Sequence, residues 1–303
     1  MANLTLKQLR YFEAVARHRH FGHAAESCAI SQPALSVQIK ELEASLGTRL
    51  IERGPRQIAL TAFGEDLAGR AREILNAVDA LPDLARAAQN QRLGKLRLGV
   101  IPTIAPYLLP TLCRNLMADA PGLDLHIRET LTPKLLEELA DGRLDAAIVA
   151  LPVSEPQFTE VALFDEDFVL VRSVEEADQP VPDGETLRRM RLLLLEEGHC
   201  FRDQALAFCS VPAAIPRDGL DGSSLTTLVQ MVGAGIGVTL IPEMAIKVET
   251  QSAPVAVSPF DAPKPSRTVG MIWRKTNPLA QQLLHVSEVV DRAAAELGLK
   301  GSE

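Results

Sequence analysis

The stretch EEGHCFRDQALAFC, residues 196–209, sets two cysteines, Cys200 and Cys209, nine positions apart, with His199 before the first and Arg202 two residues after it. The thiolate, not the thiol, attacks an oxidant, and it is favoured by neighbouring cations and by the unpaired N–H groups at a helix start. Gly198 supplies a turn after the strand-like RLLLLEE, so a helix is expected to begin at or just after Cys200. His199, Arg202 and that helix start together predict a Cys200 thiol that ionises readily. Cys209, behind Leu206, Ala207 and Phe208, reads as buried and unreactive while the helix stands. Nine residues of helix separate two Cα atoms by roughly 13 Å and turn the side chains to opposite faces, whereas a disulfide needs about 4.4 to 6.8 Å. The two sulfurs therefore cannot meet without unwinding the segment, and a bond between them would convert oxidation into a change of fold. Closing so short a loop contributes up to roughly 3 kcal/mol to the alternative form, which suffices to bias a bistable element.

The rest of the chain must supply a frame for that chemistry. Its 303 residues, 47% of them hydrophobic, suffice for two or three folding units with sizeable cores. The opening MANLTLKQLRYFEAVARHRH has neither a continuous apolar run nor a small-residue cleavage site, and no segment is apolar enough to span a bilayer. A cytoplasmic protein is expected, with no membrane partner. Thiols are kept reduced there, so a cysteine pair reads as catalytic, metal-binding or redox-sensing. No C-x-x-C occurs and the His and Cys spacings fit no zinc site, so no metal or other cofactor is expected. Cys28 and Cys113, among apolar helical neighbours, read as small buried hydrophobes. GAGIGV, residues 233–238, follows a helix and precedes a strand, the reverse of a dinucleotide fingerprint.

The net charge of −8 is unevenly spread. Residues 1–61 hold eight Lys and Arg against five Glu, a surplus of 3, which leaves −11 for the remainder. A basic head on an acidic body suggests a polyanion-binding module joined to something that binds no polyanion. Leu6, Leu9, Phe12, Val15 and Ala16 predict a first helix, and HAAESCA a second near Gly22. In ISQPALSVQIKELEASLG, Ser31 caps a third, Pro33 occupies its first turn and Gly47 ends it. Its buried stripe is Leu35, Ile39, Leu42 and Leu46. Pro33, Ser36, Val37 and Lys40 face away, with Gln32 at the edge, a set able to enter a major groove and read base edges. RLIERGPRQIALT predicts two short strands about Gly54-Pro55, with Arg49, Arg53 and Arg56 near the phosphate backbone.

The run AAESCAISQPALSVQIKELEASLGTRLIERGPRQIALTAFG resembles the winged helix-turn-helix of LysR-type transcriptional regulators, with the SQPALS, Q-I, LE, LG, LIER and LT-x-x-G elements in order. Val37 departs from the pattern, since many relatives carry Arg there, so base contacts at that position are not carried over. The resemblance implies a DNA-binding domain over 1–61, with Gln32, Pro33, Ser36, Lys40, Arg53 and Arg56 on double-stranded operator DNA. From Thr61 onward Leu67, Ala71, Ile74, Val78, Leu81, Ala85 and Ala88 alternate spacings of four and three, a heptad seam that asks for a partner helix or for the protein's own body. Pro82 should kink or divide it. In LysR-type proteins this helix, here 62–92, pairs two subunits, and the family usually forms tetramers and works with RNA polymerase.

After Gly94, strands and helices alternate: KLRLGVI, a helix from about Thr103 to Asp119, LDLHIRE, the helix PKLLEELADG and DAAIVAL, then further strands, SSLTTLVQMVGAG, TVGMIWRK and a long helix from Pro278. This predicts an α/β body with mainly parallel strands. It resembles the family's two-lobed, periplasmic-binding-protein-like regulatory domain over 93–303. Lobe I is expected over about 93–164 and 268–303, and lobe II over about 165–267.

Residues 196–209 resemble the peroxide-sensing branch of the family, OxyR, in the pattern E-x-G-H-C-x-R-D-Q-A-x-x-F-C. That resemblance implies that Cys200 is oxidised by hydrogen peroxide to a sulfenic acid and that Cys209 resolves it to a disulfide. It also points to Thr103, Thr132, His199, Asp203, Ser224 and Arg267 as peroxide-binding, because one oxygen must be held for attack and the other protonated as it leaves. Simpler roles stand beside these: Thr132 and Asp203 as helix caps, Arg267 as a surface charge. Two further readings stay open, a LysR-type regulator that binds a metabolite between its lobes with structural cysteines, and a thiol peroxidase or exported solute receptor. The winged module and the missing signal segment weigh against the last. On the favoured reading the protein is a regulator and not an enzyme.

Overall fold

The structure is a computed structural model and describes residues 4–52, 58–79, 81–82, 85, 94–208 and 221–301. The chain divides into two compact units, Met1–Ala88 and Gln89–Glu303. In the first, α1 (Leu6–His18), α2 (Phe21–Ser27) and α3 (Gln32–Leu46) are followed by the antiparallel pair β1 (Ile51–Glu52) and β2 (Ala59–Leu60), then α4 (Ala62–Asp79). Ser31 caps α3 by accepting from the Ala34 N–H at 3.3 Å, and Gly47 ends it in the left-handed conformation, φ 69°. Leu35, Ile39 and Leu42 of α3 are buried with Phe12 and Val15 of α1, while Leu46 is half-buried and Leu6 exposed.

The LT-x-x-G element has a local physical cause. The Thr61 hydroxyl donates to the Arg49 carbonyl at 2.9 Å and accepts from the Gly64 N–H at 3.0 Å, so it ties the second strand to the start of α4. Gly64 lies so close to the strand that a Cβ there would sit 2.2 Å from the Leu50 carbonyl oxygen. Ala71 and Leu75 of α4 pack on Leu9 of α1. Ile74 and Leu81, two members of the seam, remain exposed.

The second unit opens with β3 (Lys95–Val100), α5 (Ala105–Asp119), β4 (Asp124–Glu129), α6 (Thr132–Ala140), β5 (Ala146–Leu151) and the long β6 (Phe158–Ser173). It continues through α7 (Gly184–Arg189), β7 (Leu194–Leu195), α8 (Cys200–Phe208), β8 (Asp221–Gly222), α9 (Leu225–Gly233) and β9 (Thr239–Pro242). A hook, Glu243–Glu249, consists of a 3-10 turn and α10 (Ile246–Glu249); β10 (Val255–Pro259), β11 (Ser266–Arg274), α11 (Ala280–Glu296) and β12 (Lys300–Gly301) complete it. Strands run β10-β6-β11-β5-β3-β4, and β9 and β12 also pair with β6. Residues Phe158–Asp167 of β6 pair with β11, while Phe168–Ser173 pair with β9 and β10, so this strand carries the chain from lobe I into lobe II.

The expectation of mainly parallel strands is corrected here. β3 is parallel to β4 and β5, and β7 to β8, but every pairing made by β6 and β11 is antiparallel. The reason is topological: the strands that cross between lobes must return through the sheet they leave. Among the described residues no helix is long and apolar enough to cross a membrane.

Candidate functional site

The site lies where the lobes meet. Ile101, Pro102, Thr103, Leu131 and Thr132 of lobe I and Gly198, His199, Cys200 and Phe201 of lobe II line a narrow cleft. α8 begins at Cys200, whose free thiol is half-buried. Gly198 makes the turn into it with φ 93°, a conformation that side chains disfavour, and a Cβ there would stand 3.0 Å from Leu131. Phe201 fastens the helix to the lobe II core, its ring edge-on to Phe168 at 4.7 Å.

Thr103 sits in the turn before α5 and is buried. Arg267, at the start of β11, donates to its hydroxyl at 2.8 Å and to its carbonyl at 3.1 Å. The same guanidinium pairs with Glu166 of β6 at 2.7 Å, both side chains fully buried, and lies 5.8 Å from the Phe201 ring centre. Arg267 is thus no surface charge. Burial pushes the Glu166 carboxyl up, while the charge of Arg267 and the N–H of Met244, bonded at 2.9 Å, pull it down. Because Arg267 fills an acceptor position of Thr103, the Thr103 hydroxyl hydrogen is left for another partner.

Thr132 is the first residue of α6 and does not cap it; Leu131 occupies the cap position without a side-chain bond. The Thr132 hydroxyl is buried against the cleft and has no hydrogen-bond partner among the described residues. Such a group costs about 1–3 kcal/mol, so its presence in the wall marks where a polar guest would be bonded. His199 is also buried, and burial lowers its pKa against the opposing charge of Glu196. Burial thus favours the neutral imidazole, against the positive character expected of it. The half-buried Arg202 donates to the Leu195 carbonyl at 2.7 Å, bracing the loop that leads to Cys200.

Three expected members do not line the cleft: Arg267, which bonds to Thr103 in its wall, and two exposed residues. Asp203 is exposed on α8. Ser224 is the exposed N-cap of α9, accepting from the Thr227 N–H at 3.2 Å, a local demand that outweighs any distant one. Cys209 lies outside the described residues. Glu166 is missed by the sequence reading; its only signal is a carboxylate in a strand whose neighbours enter the core. Cys28 and Cys113 are half-buried rather than buried: Cys28 edges the N-terminal core, and burial raises the Cys113 thiol. Among the described residues no group of three or more His, Cys, Asp or Glu is placed to hold a metal ion.

On the first unit, Gln32, Pro33, Val37 and Lys40 of α3 are exposed and Ser36 is half-exposed, opposite the buried stripe. Arg53 and Arg56 lie outside the described residues.

Residues 6–65 match the family described as bacterial regulatory helix-turn-helix protein, lysR family, and residues 89–295 match the LysR substrate binding domain. A probable hydrogen peroxide-inducible genes activator of Streptomyces viridosporus is 42% identical over 301 residues, covering 98% of this chain and 96% of that one. A full-length OxyR cysteine variant from Pseudomonas aeruginosa superposes with a TM-score of 0.76 at 38% identity, over 96% of this chain and 95% of that one. An OxyR cysteine variant from Corynebacterium glutamicum with hydrogen peroxide bound gives 0.66 at 36% identity, over 97% and 93%. Similarity thus extends over nearly the whole chain, which belongs to the LysR family of regulators and to its OxyR branch.

Proposed function

We propose that the protein is a DNA-binding transcriptional regulator that senses hydrogen peroxide at Cys200. The observation that carries this reading is the buried Thr132 hydroxyl, without a hydrogen-bond partner among the described residues, in the cleft that Cys200 shares with Thr103. A molecule with two adjacent oxygens, each donor and acceptor, suits two hydroxyls beside the Cys200 sulfur. The Cys200 sulfur attacks one oxygen, the O–O bond breaks, and the departing hydroxide takes a proton to leave as water; the sulfur is left as a sulfenic acid. The Cys209 sulfur then attacks that sulfur, an S–S bond forms, the S–O bond breaks, and the Cys209 thiol proton leaves with the hydroxide as a second water. Thr103, its acceptor side occupied by Arg267, is the donor suited to the departing oxygen.

Drawing Cys200 toward Cys209 unwinds α8, which displaces Phe201 from Phe168 and Arg267 and so alters lobe II. The protein consumes peroxide once per signal and is not an enzyme. It acts in the cytoplasm as a homo-oligomer, a dimer through the 62–92 helix and a tetramer on its operator, and reports to RNA polymerase. Gln32, Pro33, Ser36 and Lys40 read the DNA, with Arg53 and Arg56 on its backbone. The charged groups that a metabolite would meet between the lobes, Arg267 and Glu166, are already satisfied by each other, which disfavours a metabolite switch.

The test is to treat reduced protein with stoichiometric peroxide and map disulfides by mass spectrometry. A 200–209 bond is expected, together with a DNA footprint that Cys200→Ser locks in its reduced pattern. Absence of that bond, or an unchanged peroxide response in Cys200→Ser, overturns the reading.

A further inference from the structure

We infer that Glu249, acting through Tyr107, is a positioning residue for the reaction of Cys200 with peroxide, an inference that rests on the function proposed above. The Tyr107 hydroxyl of α5 donates to the Glu249 Oε1 of α10 at 2.6 Å, across the lobe junction, and both side chains are buried. Among the described residues Glu249 makes no salt bridge. A carboxylate buried with no cation is costly compared with an apolar side chain of the same volume, and the Tyr107 ring is already packed in the lobe II core. Packing alone therefore does not call for the pair. What the bond adds is direction, since it fixes the first turn of α5 against the hook Glu243–Glu249.

That first turn carries Thr103 with it. Thr103 lies one turn ahead of Tyr107, and the N–H groups of Ala105 and Tyr107 bond to Ile101 and Ile104 at 3.0 and 3.1 Å, so the segment moves as one piece. The hook is held at its other end by the Met244 N–H on Glu166, which pairs with Arg267, which in turn holds Thr103. The bonds close a circuit: Thr103, Arg267, Glu166, Met244, Glu249, Tyr107 and back along α5 to Thr103. Thr103 is thereby clamped from two sides, while Cys200 is placed by Phe201, whose ring packs on Phe168 and Arg267. Opening the circuit at Glu249 shifts Thr103 relative to Cys200 without touching the thiol.

A reaction that needs both groups at once must slow, and one that needs the thiol alone must not. The experiment measures, on the Cys200 peptide of the full-length reduced protein, the rate of oxidation by hydrogen peroxide and the rate of alkylation by iodoacetamide, and takes their ratio. In Tyr107→Phe and Glu249→Leu that ratio should fall roughly ten- to hundredfold. Glu249→Gln, whose amide oxygen accepts the same bond, should stay within about threefold of wild type. Tyr107→Phe keeps the packed ring, so it reports even where Glu249→Leu does not fold. An unchanged ratio in Tyr107→Phe, or a Gln variant as slow as the Leu variant, overturns the inference. A wild-type ratio no higher than that of free cysteine sinks the sensing reading and this inference together, whereas unaffected variants beside a fast wild type sink this one only.

Discussion

Replacing Arg267 by Met removes one half of a pair whose side chains have 0% exposure and withdraws both bonds that hold Thr103. Glu166 is left in the junction with the Met244 N–H and no cation. Removing one partner from a buried pair costs about 3–5 kcal/mol. For a unit of this size, about 2–4 °C per kcal/mol corresponds to a fall in Tm of roughly 6–20 °C. Trp273, the one tryptophan of the chain, is buried in β11, so its fluorescence during urea unfolding reads the regulatory unit without interference from the DNA-binding one. The double variant Arg267→Met with Glu166→Leu should recover most of the loss, because apolar replacement of a whole buried pair is close to neutral. In the single variant Glu166 loses the charge that opposed its desolvation, so its folded pKa rises further. A carboxyl with a raised folded pKa contributes stability that is complete below its unfolded value, about 4.3, and lost as pH rises through the folded value. The deficit of Arg267→Met should therefore shrink on acidification from neutral pH toward that value. A single variant within about 1 kcal/mol of wild type, the range of an exposed pair, or a double variant as weak as the single one, would refute the reasoning.

Thr132→Val deletes a buried hydroxyl that has no partner and keeps its shape, so urea unfolding should show no loss and a gain of up to about 1 kcal/mol, while peroxide oxidation of Cys200 slows by roughly tenfold or more. A stability loss would mean that the hydroxyl is bonded after all. His199, whose pKa burial lowers, contributes stability that is present above its unfolded value of about 6.5 and lost as pH falls through the folded value. The slope of Trp273-monitored stability just below neutral pH should flatten in His199→Gln, and an unaltered slope would exclude a neutral imidazole. Gly64→Ala places a Cβ 2.2 Å from the Leu50 carbonyl oxygen, and calorimetry of the full chain should find the DNA-binding unit destabilised by about 1–3 kcal/mol with the regulatory transition unmoved.

What the sequence makes legible is whatever has a local cause. Ser31, Pro33 and Gly47 delimit α3 because caps and φ preferences act within one turn, and the stripe Leu35, Ile39, Leu42 faces inward because only one side of that helix is apolar. The helix at Cys200 is likewise announced by Gly198. Whatever depends on two distant segments is less visible. Thr132 and Ser224 are both hydroxyls at helix starts, yet one lies buried without a partner and the other is an ordinary cap; only the meeting of lobes distinguishes them. The burial of His199, which works against a positive imidazole, comes from packing that no neighbouring residue reveals. Glu166 goes unnoticed for the same reason, its role being set by Arg267 about a hundred residues later and by a backbone N–H on the hook. Parallel and antiparallel strands have similar residue patterns, so the return of β6 and β11 through one sheet is invisible until both are placed.

β6 belongs to both halves of the regulatory body, its first ten residues bordering β11 and its last six bordering β9 and β10. Severing the chain between Asp167 and Phe168 would leave one fragment with a ragged end where two strands expect a template, and the other with two orphans and no spine. Neither lobe can be harvested as a free-standing module, and permuted termini or grafted reporters belong in the surface turns, away from this shared rail.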